Sequence, residues 1–252
     1  MLKLNEFKTG IAVAIGLACL SLPQTVAQNT GTAPTESGIQ PRAMQFYDRA
    51  VRELHQGHAV PSEKDALRAL QIDKHFADAA ALAATAALKQ QQFDRARMEA
   101  TQAAQIDSAD EKAWVILATA DNYLGKYSDA ADALGHVQPQ DQGTWQVAYQ
   151  WARAEAGQQH LQQCLDWTNR AALSAPPNFA PLHLLRASVL LAMGDTARAA
   201  DQLEIYLQLP SVNPSQRDLL TQELHRLRKL SQQSPAAPPV ANHATEFNVQ
   251  AD

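Results

Sequence analysis

The residues with chemical potential in this sequence are few and poorly assorted. His55 and His58 flank Gln56-Gly57 and are the nearest thing to a metal-ligand pair, but Gly57 marks a chain turn and no third ligand stands at a useful spacing. Asp73 and Asp107 could form an acid pair, and Cys164 could supply a thiol. Lys89, Lys112 and Arg153 are cations that could meet an acidic ligand, although a surface charge is more often simply solvated. Nowhere does a nucleophile stand beside a base or a carboxylate beside its partner, so the sequence reads as non-enzymatic, without metal or cofactor.

The elements that must position these groups are helical. Trp114, Leu117 and Ala118 lie at i, i+3 and i+4 on one face, and Tyr127, Ala130, Leu134 and Val137 continue the pattern after Gly125. Alanine is abundant, and it loses no side-chain entropy in a helix. An all-α protein follows. A shift of 34 residues lays Phe93 on Tyr127, Ala96 on Ala130, Ile72 on Ile106 and Asp73 on Asp107. The helix pair is therefore a repeat. Units are expected at about 43–76, 77–110, 111–144, 145–179 and 180–213, with one extra residue entering near Pro176-Pro177. In this register Cys164 follows Ala130 by one repeat and reads as a small buried residue. Asp73 and Asp107 read as structural acids near the start of the next helix.

Helix starts are also predicted. Ser108-Ala109-Asp110-Glu111 has the form of a capping box in which Ser and Glu satisfy free N–H groups, and Asn213-Pro214-Ser215-Gln216 gives a second start. Leu220, Leu224 and Leu227 follow on one face, opposite Arg217, Glu223, Arg226, Arg228 and Lys229. A one-sided helix suits the exposed end of a stack, so 214–230 is expected to cap the array. The tail at 231–252, with Pro235, Pro238 and Pro239, is expected to be disordered.

Outside the array, residues 1–27 combine Lys3 and Lys8, an apolar run from Ile11 to Leu20, and Thr25-Val26-Ala27 before Gln28, the form of a secretory signal. A membrane span needs about 20 apolar residues, more than this run offers. Cys19 opens an alternative of lipid attachment and outer-membrane association, against which Gly16 departs from the usual lipobox. Residues 28–42 read as a flexible linker, with order beginning near Pro41. The net charge of −5 disfavours binding to phosphate backbones, so nucleic acid is not an expected partner.

The set Trp114, Leu117, Ala118, Gly125, Tyr127 and Ala130 resembles the tetratricopeptide repeat (TPR) over about 43–213. Departures are Asp121, where an aromatic is usual, and Ser62 in place of a small alanine. The resemblance implies a right-handed α-solenoid of about five helix hairpins with a C-terminal capping helix. It also implies a concave groove, lined by the first helix of each unit, that holds a peptide or protein partner. Carried over unit by unit, the groove positions fall on Tyr47, Val51, His55, Asp78, Thr85, Lys89, Lys112, Thr119, Asn122, Tyr123, Tyr149 and Arg153. The strongest candidates are Tyr47, Lys89, Lys112, Asn122, Tyr123, Tyr149 and Arg153, a mixture suited to an extended peptide with apolar and acidic residues. Tyr47 and Val51 do not match the carboxylate clamp of chaperone-binding TPR proteins. Leader and array together predict an exported, periplasmic scaffold that helps assemble an envelope machine such as a pilus, secretion or polysaccharide-export system. A periplasmic chaperone that holds unfolded clients is the alternative.

Overall fold

The computed structural model describes residues 38–138, 144–210 and 214–233. The expected leader, most of the linker, Asn213 and the tail from 234 lie outside them. The described residues form eleven α-helices and no strand. In order they are α1 (Pro41–His55), α2 (Ala59–Ile72), α3 (Ala77–Lys89), α4 (Phe93–Ile106), α5 (Glu111–Tyr123), α6 (Tyr127–Leu134), α7 (Trp145–Gly157), α8 (Leu161–Ala172), α9 (Ala180–Ala192), α10 (Thr196–Gln208) and α11 (Pro214–Gln233). Each helix packs on the next, and the first helices of successive pairs also touch: α1 with α3, α3 with α5, α5 with α7, and α7 with α9.

Small residues make this approach possible. Ala50, Ala84, Ala118, Ala152 and Ala187 occupy one register on the first helices, and all are buried. Their partners on the second helices are Ser62, Ala96, Ala130, Cys164 and Ala199, each fully buried. A larger side chain at these crossings would hold the backbones apart. Ser62 fits because its hydroxyl donates to the Ala50 carbonyl at 2.8 Å, leaving no buried polar atom unmatched there. Cys164 fills the same slot, and burial, then Glu155, pushes its thiol up to about 12, a protonated and unreactive state.

The hairpin turns share a register too. Gly57, Gln91, Gly125, Gln159 and Gly194 sit at successive bends, and each has left-handed backbone, with φ of 85, 61, 73, 64 and 85°. Glycine adopts this conformation freely, whereas a side chain costs about 1–2 kcal/mol there. Gln159→Gly is therefore expected to stabilise the fold by about 0.5–1 kcal/mol once the extra freedom of the unfolded chain is subtracted. The urea midpoint should rise with an unchanged slope, and Gln159→Ala should show no such gain.

Polar ties cross every seam between units. Arg95 donates to Glu63 at 2.9 Å, Arg97 to Asp121 at 2.6 Å, Asn122 to Gln150, and Arg186 to Asn169 at 2.9 Å. At the last seam Arg228 meets Asp201 and Glu204, and Arg217 donates to the Leu207 carbonyl at 2.7 Å.

Several local expectations need correction. The cap of α5 is Asp110, whose carboxylate accepts from the Lys112 backbone N–H, not Ser108. Ser108 lies in the preceding turn and accepts the Trp114 indole N–H through its carbonyl, while Glu111 accepts from the Gln138 backbone. Asp73 and Asp107 end α2 and α4 instead of starting the next helices. Each accepts from the backbone two residues on, at His75 and Ala109, the geometry of an Asx turn. In α11 Glu223 is buried beside Arg226 and does not join the exposed face, and the helix continues through Gln233.

Candidate functional site

The expected binding residues all lie on the first helices, but at different depths. Lys89 ends α3 half-buried, and Lys112 is exposed near the start of α5. Tyr47 on α1 is partly buried, its ring 4.9 Å from Phe76. Burial, followed by Asp78, Asp48 and Asp110, pushes its phenol up to about 12, so it presents a hydroxyl and no charge.

A single cluster joins three of the others. Tyr123, at the end of α5, stacks on Phe93 with ring centroids 4.4 Å apart and planes within 4°. The Arg153 guanidinium from α7 lies 4.2 Å from the centre of the same ring, a cation–π contact. Asn122 donates through Nδ2 to the Gln150 carbonyl at 3.0 Å and to its Oε1 at 3.1 Å, and Arg153 Nη1 stands 3.5 Å from that Oε1. Elements from units 2, 3 and 4 thus converge on Tyr123. Tyr149 stands apart, edge-on to Phe179 at 5.0 Å.

Depth separates what this face offers a partner from what holds it together. Asn122 and Tyr149 are 3% exposed and Arg153 7%, so their side chains serve the seams between units. Tyr47, Lys89, Lys112 and Tyr123 retain exposed surface. Phe93 and Gln150 complete the Tyr123 cluster, and Phe179 covers Tyr149 beside it; none of the three was foreseen at this face. Phe93 had only a packing signal, the aromatic place shared with Tyr127; Phe179 repeats the place of Phe76, as Tyr149 repeats that of Tyr47, a signal that could have found the pair, whereas Gln150 has no such counterpart.

The histidines also fall into register. His58 Nδ1 lies 2.9 Å from Glu53, and His160 Nδ1 lies 2.8 Å from Glu155, three repeats further on. Each pair spans a hairpin turn. Among the described residues no three His, Cys, Asp or Glu side chains are grouped to hold a metal ion, and no helix is long and apolar enough to cross a membrane.

No protein-family model matches the chain, and neither does any curated protein sequence. Solved structures do. PilW, described as a widely conserved type IV pilus biogenesis factor, is 14% identical, covers 77% of this chain and 89% of its own, and superposes with a TM-score of 0.65. YrrB, described as a TPR protein with an unusual peptide-binding site, is 13% identical over 76% of this chain and 92% of its own, with a TM-score of 0.55. MamA from Desulfovibrio magneticus RS-1 is 11% identical over 79% of this chain and 99% of its own, at 0.56. With one turn register, one set of small-residue crossings and these likenesses together, the chain has the tetratricopeptide-repeat fold, its described residues forming an all-α solenoid of five hairpins followed by a terminal helix.

Proposed function

We propose that this protein is an exported, periplasmic interaction scaffold that helps assemble an envelope machine, with a pilus system first among the candidates. The observation that carries this reading is the first-helix face. Its crossings are spent on packing, while Tyr47, Lys89, Lys112 and Tyr123 keep exposed surface along three successive units. Two cations and two aromatic rings on one face suit an extended segment with acidic and apolar residues. The likeness in fold to a pilus biogenesis factor and the leader-like first 27 residues support the location and the machine.

The test is affinity capture from envelope fractions with the wild-type chain and with Lys89→Glu/Lys112→Glu. Lys112 is exposed and Lys89 half-buried at the end of α3, so circular dichroism of the double variant should match wild type if the fold is kept. A single partner recovered by wild type and reduced at least tenfold by the double variant is the expected result. Undiminished recovery would overturn the face assignment, and capture of many unrelated unfolded chains would favour a holdase.

A further inference from the structure

One pair of acids on the second helices is not used by the binding face. Glu63 on α2 and Glu99 on α4 are 4% and 3% exposed and belong to neighbouring units. Glu63 is fully served: Arg95 Nη1 donates to one oxygen at 2.9 Å and Gln90 Nε2 to the other at 2.6 Å. Glu99, one helical turn beyond Arg95, receives neither. Its Oε2 is buried with no hydrogen-bond partner.

The helices packed around Glu99 bring little to compensate. α3 buries only alanines and Leu88. On α5, Asp121 is taken by Arg97, Glu111 binds the Gln138 backbone, and Lys112 is exposed. The charges that act on Glu99 are Glu63 from α2, which disfavours its ionisation, and Arg95 on its own helix, which favours it. A carboxylate left dry beside another acid is costly, whereas a protonated carboxyl there carries no charge and can donate.

We propose that Glu99 and Glu63 form a proton-operated latch between the first and second units, closed while Glu99 is protonated and loosened when that proton leaves. Burial first, then Glu63, raises the Glu99 carboxyl from 4.5 to about 7. Because the folded state holds the proton more tightly than the unfolded chain, the stabilisation is complete below about 4.5 and is lost as pH rises through about 7. The seam it governs positions α1, and so Tyr47, relative to Lys89. The consequence for a partner rests on the binding face proposed above; the latch does not.

The experiment needs no partner. Carboxyl-carbon NMR of the full chain labelled at glutamate should show one resonance titrating above pH 6, absent from Glu99→Gln. If every glutamate carboxyl titrates below pH 5.5, the proposal is overturned, whether or not the variant folds. Where it folds, the wild-type folding equilibrium should fall by up to tenfold per pH unit between about 4.5 and 7, and Glu99→Gln should flatten that slope. Equal slopes would count against the latch. Hydrogen exchange locates the effect: after correction for intrinsic rates, protection in α1 and α2 should drop between pH 5 and 8 while α9 and α10 keep theirs. A uniform drop along the array would refute a local seam.

Discussion

Gly157→Ala is expected to destabilise the fold by up to about 2 kcal/mol, although alanine is the better helix former. Gly157 is the last residue of α7, and a Cβ built there would lie 2.2 Å from Cγ and Cδ2 of Tyr127 and 2.3 Å from Cδ1. Those atoms are at the base of the ring: rotation about χ2 leaves Cγ in place, and a change of χ1 clears the contact only by swinging the whole ring out of its packing. Tyr127 opens α6, a helix of only eight residues, and its carbonyl accepts from Gln158 at 3.5 Å. Relief therefore requires the Tyr127 ring to leave the contact or α6 to move away from α7, and either loosens the packing between units 3 and 4. The gain in helix propensity is about 1 kcal/mol, and overpacking of a close contact costs about 1–3 kcal/mol or more. Overpacking wins. The sign can be checked by a cycle: in a Tyr127→Ala background the ring is gone, and Gly157→Ala should become neutral or stabilising by up to about 1 kcal/mol. Urea unfolding of the four proteins measures it, and a stabilising Gly157→Ala in the wild-type background would contradict the contact.

The register of this fold was legible because its small-residue crossings recur. Ala84, Ala118 and Ala152 lie 34 residues apart, as do Ala96, Ala130 and Cys164, and the spacing survives even where Ser62 departs from alanine. Periodicity assigns a residue to a face, however, and not to a depth on it. Lys112 and Arg153 look alike in sequence. The first sits near a helix start in open solvent, while the second reaches across to Tyr123 and sinks against Gln150. Asn122 and Tyr149 are buried for a similar reason, because α7 and Phe179 lie over them. Capping failed as a sequence signal at Ser108 because Asp110, two residues on, competes for the same role and is placed closer to the first free N–H groups. Glu99 was invisible as well, since nothing in its spacing distinguishes a charged residue that faces solvent from one that faces another acid.

Asp121 shows the same gap between pattern and partner, and it carries the second large prediction. In sequence it is a departure from an aromatic position; in the structure it is 1% exposed and bound by Arg97 from the preceding unit, which also reaches Asp129 at 3.2 Å. Burial raises the Asp121 carboxyl above its ordinary value even with Arg97 opposing it, first by hydrogen bond and then by charge. Arg97→Ala removes the cation that ion-pairs with Asp121 and leaves a buried acid opposed only by the weaker charge of Lys126. Breaking a buried pair from one side costs about 3–5 kcal/mol, and the partial exposure of Arg97 places this case near the lower end, at about 3 kcal/mol. The defect should depend on pH in a definite direction. Without Arg97 the folded-state value for Asp121 rises further, so the folded chain holds a proton that the unfolded chain has released, and the loss grows as pH rises from 4 towards neutrality. Asp121→Asn in the Arg97→Ala background removes the charge while keeping the shape, and should recover stability at pH 7 but not at pH 4. Urea midpoints at those two values decide the matter: a defect equal at both would mean that Arg97 acts through the packing of its stem, with Asp121 needing no counter-charge.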